Sequence, residues 1–236
     1  MTNRKSHMQK NQLITIVVAA AIVGGIAGFN SVRREGRAAI TERSIPEKFD
    51  YGTWTDNTYR NGFFGFSFSV PENWFVADDG EIAMIFNLAK NAVEAGNKDL
   101  RKIMNVAEIT TANMIFTSRH SPTEAAIMEI PSNPNIVLTA ENLNKVKIDL
   151  ARYAKLNRQN YLKIMPGAVI KNESVKNIGG KRFASKESEF EAFGMMIRQK
   201  CLILVENGFG LVFSMTFFND DEERLLDAIM ETMVWE

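Results

Sequence analysis

The sequence predicts an α+β domain around an antiparallel sheet, preceded by one transmembrane helix. Two apolar runs meet at Asn207-Gly208, a dipeptide typical of the type I′ turn of a β-hairpin. Helical segments stand between the predicted strands without a regular strand–helix–strand repeat, which favours an antiparallel sheet over a parallel one. The third observation is an uncharged stretch near the N-terminus.

This uncharged stretch runs from Asn11 to Val32 and follows a basic tail at 1–12. As a helix it would rise about 1.5 Å per residue to roughly 33 Å, enough for a hydrocarbon core of about 30 Å. We therefore predict a single-pass membrane protein with its anchor at 13–32.

A cleaved secretory signal is the alternative, because the tail is basic and the apolar stretch is rich in Ala and Gly. Arg33 and Arg34 follow directly, where a signal-peptidase site needs small residues, so retention is favoured. The only Cys is Cys201, which excludes a lipid-modified cysteine after the stretch.

The side of the membrane on which the domain lies is predicted from two opposed signals. More Lys and Arg follow the helix than precede it, which by counting alone would keep the domain in the cytoplasm. A short basic N-terminus before a first apolar helix is the usual arrangement for export, and it favours an extracytoplasmic domain.

The segment 33–57 has mixed charge and no sustained apolar period, so we interpret it as a tether to a domain at 58–236. Phe49, Tyr51 and Trp54 suggest that the end of the tether packs on this domain.

The domain is predicted to open with strands. Apolar residues alternate with small polar ones from Phe64 to Val70, and Pro71 ends this strand. A second short strand begins at Trp74. The next predicted elements are further sheet at Ile82–Asn87, a helix at Leu88–Met104, and strands at Ala107–Thr117 and Ala125–Ile130.

A long amphipathic helix is predicted over Thr139–Leu162, with Thr139 as its cap. The two runs of the hairpin, Met195–Glu206 and Phe209–Phe218, come later. Asp220 and Glu223 predict the cap of a final helix, whose buried stripe consists of Leu225, Leu226, Ile229, Met230 and Met233.

Charge is balanced, with 28 Lys and Arg against 28 Asp and Glu, but it is segregated along the chain. Residues 145–186 include 11 basic and two acidic residues, net +9, whereas 187–236 include three basic and 11 acidic residues, net −8. Either the two segments neutralise one another in the folded domain, or they form a bipolar surface that orients a partner or an anionic membrane.

Residues 61–74 read NGFFGFSFSVPENW, and this segment resembles the opening strand of PsbP-like domains, the extrinsic photosystem II subunit family and its bacterial relatives. Gly179-Gly180, the long hairpin and a closing helix that runs to Trp235 follow the order of that family, so the resemblance spans 59–236. It implies an αβα sandwich and a non-enzymatic protein that binds or stabilises other proteins. No ligand set can be transferred, and no photosystem role is assigned.

Few residues suit catalysis or metal binding. His7 and His120 have no partner histidine in their segments, and Cys201 lies on an apolar strand face as a predicted inert thiol. Gly179-Gly180-Lys181 lacks the upstream Gly and the following Ser or Thr of a phosphate-binding loop, so we predict a turn. The acidic clusters at 78–81 and 220–223 lack the spacing of a calcium loop. We predict no cofactor, no metal and no enzyme activity.

The candidate binding surface is the outer face of the long helix, over 140–163. Its basic residues occupy the arc left free by the apolar face: Lys145, Lys147, Arg152, Lys155, Arg158 and Lys163. Solvated charge is one explanation, and anionic lipid is another, because a basic amphipathic helix beside a membrane anchor can lie on such a surface. Nucleic acid is not expected, since the chain has no net positive charge and no interleaving of basic and aromatic residues.

From these observations we predict a membrane-anchored binding or assembly module for an unknown membrane or envelope protein complex. The alternatives are peripheral lipid binding through the basic helix and an enzyme with an unrecognised pocket. The enzyme would gain support from a deep cleft that gathers Asp78, Asp79, His120 or Cys201.

Overall fold

A computed structural model of the chain describes residues 44–96, 105–130, 132–143, 148–192 and 195–236. The predicted tail, the predicted anchor at 13–32, the first part of the tether, and Lys145 and Lys147 lie outside the described residues. Within the described ranges, no helix is both long and apolar enough to span a membrane.

The described residues form eleven strands and five helices. The strands are β1 Thr53–Thr55, β2 Thr58–Asn61, β3 Phe66–Ser69, β4 Phe75–Val76, β5 Thr111–Ser118, β6 Asn135–Asn142, β7 Val169–Ile178, β8 Lys181–Ala192, β9 Met195–Glu206, β10 Phe209–Phe217 and β11 Val234–Trp235. The helices are α1 Asp79–Gly96, α2 at 105–110, α3 Pro122–Ile127, α4 Leu150–Ile164 and α5 Asp220–Glu231.

The strands belong to two sheets. A seven-stranded sheet has the order β4-β5-β6-β10-β9-β8-β7, and a four-stranded sheet has the order β1-β2-β3-β11. Every strand pair in both sheets is antiparallel. The predicted α+β class with an antiparallel sheet is therefore confirmed, and the small second sheet is an addition that the sequence did not predict.

The main core lies between the two sheets and α5. Phe66 and Phe68 of the small sheet pack against Phe213 of the large one, with ring centroids 5.7 and 6.3 Å apart. Leu226 and Met230 bury the apolar stripe of α5 in the same core. Offset and edge-to-face aromatic pairs of this kind add to the free energy gained by burying apolar area.

The opposite face of the large sheet is covered by α1 and α4. Ile82 and Phe86 of α1 and Ile164 of α4 share a second core with Phe116 and Ile197 of the sheet. Helices therefore cover both faces of the large sheet, and the small sheet shares one of those faces with α5.

The predicted β-hairpin is confirmed, and its turn separates β9 from β10. Asn207 and Gly208 have φ values of 50° and 79°, which are the left-handed values that a type I′ turn requires. All nine residues of β10 are buried, because it pairs with β6 and β9 in the middle of the sheet.

The predicted helix cap at Thr139 is wrong. Thr139 lies inside β6, and all eight residues of this strand are buried between β5 and β10. A strand buried on both faces shows no alternation of apolar and polar residues. The end of β6 therefore looked like the start of the amphipathic helix that follows it in the sequence. The helix begins at Leu150, and the Asp149 side chain caps it by accepting a hydrogen bond from the Arg152 amide at 2.8 Å.

Two predicted strands are helices. Ile82–Asn87 belongs to α1, where Asp78 and Glu81 each accept a hydrogen bond from the other's backbone amide. Ala125–Ile130 overlaps α3, which Ser121 and Glu124 begin with a complete capping box. Capping signals of this kind outweigh short apolar runs that are ambiguous between strand and helix. The strand predicted at Ala107–Thr117 is shorter, since 105–110 is helical and β5 begins at Thr111.

The final helix is confirmed, but its cap lies one residue earlier than predicted. Asn219 is the N-cap and accepts a hydrogen bond from the Glu222 amide at 2.9 Å. Asp220, which the sequence predicted as the cap, is the first residue of the helix and forms an ion pair with Arg198.

Candidate binding surface of helix α4

The candidate surface is carried by α4, which stands on the large sheet. Tyr153, Asn157, Asn160 and Tyr161 are buried beneath it at helical spacing. The spacing leaves the opposite arc of the helix to solvent.

The described cations of this surface differ in their surroundings. Arg152, Lys155 and Lys163 are exposed, whereas Arg158 is partly buried and lies 3.3 Å from the Glu173 carboxylate of β7. At about 1.5 Å per residue, Arg152 and Lys163 stand roughly 16 Å apart along the helix. The described part of the surface is therefore a stripe of three exposed cations beside the partly buried Arg158.

Buried polar contacts among Lys186, Ser188, Asn157 and Tyr161 fix α4 against the sheet, and we call this group the polar seat. The sequence did not predict it. Lys186 of β8 is 3 % exposed; its ammonium donates to Asn157 Oδ1 at 2.9 Å and lies 4.0 Å from the centre of the Tyr161 ring. Ser188 donates to the Tyr161 hydroxyl at 2.9 Å. Burial lowers the pKa of Lys186 and raises that of Tyr161. A lysine on a strand face shared with Ala184 and Phe190 was the signal in the sequence that could have revealed this seat.

The first turn of α4 is fixed by a close approach to β10. Tyr153 is completely buried and donates from its hydroxyl to Glu141 at 3.1 Å. Its ring lies against Gly210, where an added Cβ would come within 2.1 Å of the ring. Together with the polar seat, this contact sets the rotation of the helix and so the direction in which its cations point.

The acidic residues of α5 lie on the other face of the sheet. Lys200 of β9 is 1 % exposed, and its ammonium lies 2.7 Å from Glu223 and 2.8 Å from Asp227 of α5. Arg198 contacts Asp220 and Glu223 at 2.6 and 2.7 Å. The pKa of Lys200 would be lowered by burial, but its bonds to Asp227 and Glu223 outweigh this and raise it.

Within the described parts of the chain, ion pairs join the basic segment 145–186 to the acidic segment 187–236. They are Lys171 with Glu189, Lys176 with Asp227, and Lys181 with Glu206. These pairs favour mutual neutralisation of the two segments over a bipolar surface.

The other residues that the sequence suggested for catalysis or binding lie in the core, in a loop or in a turn. Cys201 is completely buried, 3.7 Å from the Ser214 hydroxyl, as predicted for an inert thiol. His120 lies in the loop before α3, and Gly179-Gly180 form the turn between β7 and β8 with φ values of 56° and 86°. Among the described residues, no group of three or more His, Cys, Asp or Glu side chains could hold a metal ion.

Two clefts open on the described surface. One, of about 510 Å³, is lined by Asp56, Asn57, Val70, Glu72, Trp74 and Val76. The other, of about 420 Å³, lies between α1 and α3 and is lined by Phe75, Glu81, Met84, Ile85, Ser121, Pro122, Thr123 and Glu124. Asp78, Asp79, His120 and Cys201, the residues that an enzyme was expected to gather, line neither cleft.

Comparison with known proteins gives distant similarities of backbone. No protein-family model matches the chain, and no curated protein matches it. The solved structures similar to it include cyanobacterial PsbP from Synechocystis sp. PCC 6803, with 10% identity and a TM-score of 0.47 over 82% of this chain and 98% of that one. LpqN of Mycobacterium tuberculosis, described as involved in cell envelope biogenesis, is 16% identical with a TM-score of 0.41 over 72% of this chain and 82% of that one.

The expected resemblance to PsbP-like domains is therefore found only in part. A PsbP structure is among the structural neighbours, but the likeness is one of fold and the identity is low.

Proposed function

We propose that the protein is a membrane-anchored, non-enzymatic module that binds a partner in a membrane or envelope protein complex, with its domain on the extracytoplasmic side. The observation that carries the proposal is the stripe of exposed cations on α4, held in one orientation by the buried contacts of Lys186 and Tyr153. Because the helix is already held in place, binding costs the entropy of ordering its exposed side chains but not that of ordering its backbone, which favours recognition of a specific partner.

The partner that this stripe suits is an acidic protein surface. Arg152, Lys155 and Lys163 are all exposed, so opposite charges on a partner can approach them without displacing the fold. Charges at the rim of an interface mainly speed association and select the partner, and their effect falls as salt rises.

The test is photo-crosslinking of the full-length protein in its native membrane, with a crosslinker placed at Gln159 between the cations of α4. We expect one reproducible protein partner, and we expect Lys155→Glu to reduce its yield several-fold. Arg182→Glu is the matched control, since Arg182 is an exposed cation on β8 outside the stripe and should leave the yield unchanged.

Two other outcomes would contradict the proposal. Adducts of lipid alone would favour peripheral binding of anionic lipid, to which each cation near a membrane surface contributes about 1 kcal/mol. Equal loss of the partner in Lys155→Glu and Arg182→Glu would show that the stripe has no special role. Protease access from each side of the membrane would test the extracytoplasmic placement in the same preparation.

A further inference from the structure

The place where the chain enters the described domain is fixed by hydrogen bonds. Asn142, at the end of β6, donates from its side-chain amide to the Ser44 carbonyl at 2.9 Å. The Ile45 amide donates to the Ile109 carbonyl at 3.1 Å, and Ile45 packs against the main core. The first described residues are therefore attached to one end of the large sheet.

That end also carries a cluster of aromatic side chains. Asn142 pairs with Phe209 across β6 and β10, and Phe209 contacts Phe49 and Phe63 with ring centroids 5.2 and 5.7 Å apart. Tyr51 meets Phe49 edge-to-face at 5.1 Å. We call this end of the domain, formed by 44–51, Phe63, Asn142 and the turn at 207–208, the tether end.

Two aromatic residues of the tether end project into solvent. Tyr51 is 47 % exposed and Phe63 is 45 % exposed. Both are rigidly held: Tyr59 donates from its hydroxyl to the Tyr51 carbonyl at 2.8 Å, and Asn207 donates to the Phe63 carbonyl at 2.8 Å. Exposed Lys48 lies between Ile45 and Phe49 in the same segment.

The length of chain before Ser44 limits how far this end can lie from the predicted anchor. Eleven residues, 33–43, separate Val32 from Ser44. Even fully extended at about 3.3–3.6 Å per residue, they reach roughly 40 Å, and as a helix they would reach roughly 17 Å. The tether end is therefore the part of the described domain that the chain holds nearest to the predicted anchor, within roughly 40 Å of it.

We infer that the tether end faces the membrane and that Tyr51 and Phe63 contact the lipid interface. Aromatic side chains are enriched at the level of the lipid headgroups, where an apolar ring and a polar neighbour are both accommodated. The charges of the neighbouring exposed residues Glu47 and Lys48 offset one another, so the aromatic rings carry the contact. This inference rests on the membrane anchor of the proposed function and adds the direction in which the domain is held.

Two exposed apolar residues at the opposite end of the sheet provide an internal control. Ile127 and Met128, 76 % and 66 % exposed, follow the loop after Ser118, at the end of β5 opposite Thr111. At about 3.3 Å per residue, the length of β5 separates the two ends by more than 20 Å. If simple hydrophobicity decided membrane contact, these two residues would be preferred over Tyr51 and Phe63.

The test uses the full-length chain reconstituted in vesicles of equimolar phosphatidylcholine and phosphatidylglycerol. Single cysteines introduced by Phe63→Cys, Lys48→Cys or Met128→Cys are labelled with an environment-sensitive NBD fluorophore, and the buried Cys201 is protected from the reagent. Lys48→Cys is the second reporter because the Lys48 side chain is exposed.

We expect the labels at residues 63 and 48 to shift to the blue and to lose most of their emission when the lipids carry doxyl quenchers, while the label at 128 keeps its emission. Vesicle flotation is measured in parallel. Flotation without quenching at 63 and 48, or with stronger quenching at 128, would overturn the inferred orientation alone. Failure of the unlabelled protein to float would overturn the anchor, and with it both proposals.

Discussion

Two buried lysines on opposite faces of the large sheet differ in the charge of the groups around them. Lys200 lies between two carboxylates of α5, whereas the ammonium of Lys186 contacts a neutral amide and an aromatic ring. We expect Lys200→Met to destabilise the domain by about 1.5–3 kcal/mol, because it removes charge-assisted hydrogen bonds to two partly buried carboxylates, which keep Arg198 and Lys176 as cationic neighbours. Lys186→Met should cost less, since the contacts it removes are with a neutral amide and an aromatic ring rather than with carboxylates. Urea denaturation would measure both, and equal losses would contradict the comparison.

The pH dependence of the Lys186→Met variant gives a second test. The pKa of Lys186 is lowered by burial from its ordinary value of 10.5. Between the folded and the unfolded pKa, the unfolded chain binds more protons, so the wild-type lysine becomes less unfavourable as pH rises. The free energy of unfolding of the wild type should therefore rise relative to Lys186→Met as the pH rises toward 10.5, the ordinary pKa of the lysine. A constant difference in the free energy of unfolding over this pH range would show that burial does not shift the pKa of Lys186.

Gly210 is the residue on which the packing of α4 depends most directly. Gly210→Ala places a Cβ 2.1 Å from the buried Tyr153 ring, so we expect a loss of about 1–3 kcal/mol in the free energy of unfolding. Gly167→Ala is the matched control, because no atom lies within 4 Å of the added Cβ there. Similar thermal melting of the two variants would mean that Tyr153 moves aside without cost.

At the scale of one element, substitutions can distinguish the N-cap of α5, Asn219, from the next residue, Asp220. Asn219→Ala removes the acceptor for the Glu222 amide, and we expect a loss of about 1 kcal/mol in stability. Asp220→Ala removes only the ion pair with Arg198, in which the Asp220 side chain is 77 % exposed, so its effect should be smaller. Chemical denaturation of the two variants decides between the structural cap and the cap that the sequence predicted.

The direction of α4 bears on what its cations can reach. Its first turn lies at the tether end, where Tyr153 meets Glu141 and Gly210, and its later turns lie over Lys186 and Ser188. With the tether end toward the membrane, the helix leads away from the lipid and Lys163 stands roughly 16 Å beyond Arg152. This orientation supports a protein partner beside the domain more than a helix that lies flat on lipid.

At the scale of the whole molecule, the end of the predicted tether is packed as part of the folded domain. Phe49 and Trp54 pack against the main core, and Thr53–Thr55 pairs with β2. A chain that begins at Ser44 should unfold at the same denaturant concentration as the full-length protein in detergent. A chain that begins at Tyr59 should lose about 3 kcal/mol or more, since it loses strand β1 and the packed aromatic side chains of Phe49 and Trp54. Coincident unfolding curves for the two shortened chains would contradict this.

Patterns that depend on a few neighbouring residues were readable in the sequence. Asn207-Gly208 predicted the hairpin because only a few residue types accept left-handed φ at both turn positions, and the alternation from Phe64 to Val70 predicted β3. The apolar stripe of α5 was likewise found, because an amphipathic helix repeats every 3.6 residues.

Features that depend on contacts between distant segments were decided only by the tertiary structure. The sequence placed Thr139 in a helix because a strand buried on both faces shows no alternation, and its burial follows from pairing with β5 and β10. The same holds for the candidate surface: the sequence supplied its cations, but the paired state of Arg158 comes from β7, and the orientation of α4 comes from Lys186 and Gly210. Local periodicity sets which elements form, whereas burial and ion pairing are properties of neighbours that only folding brings together.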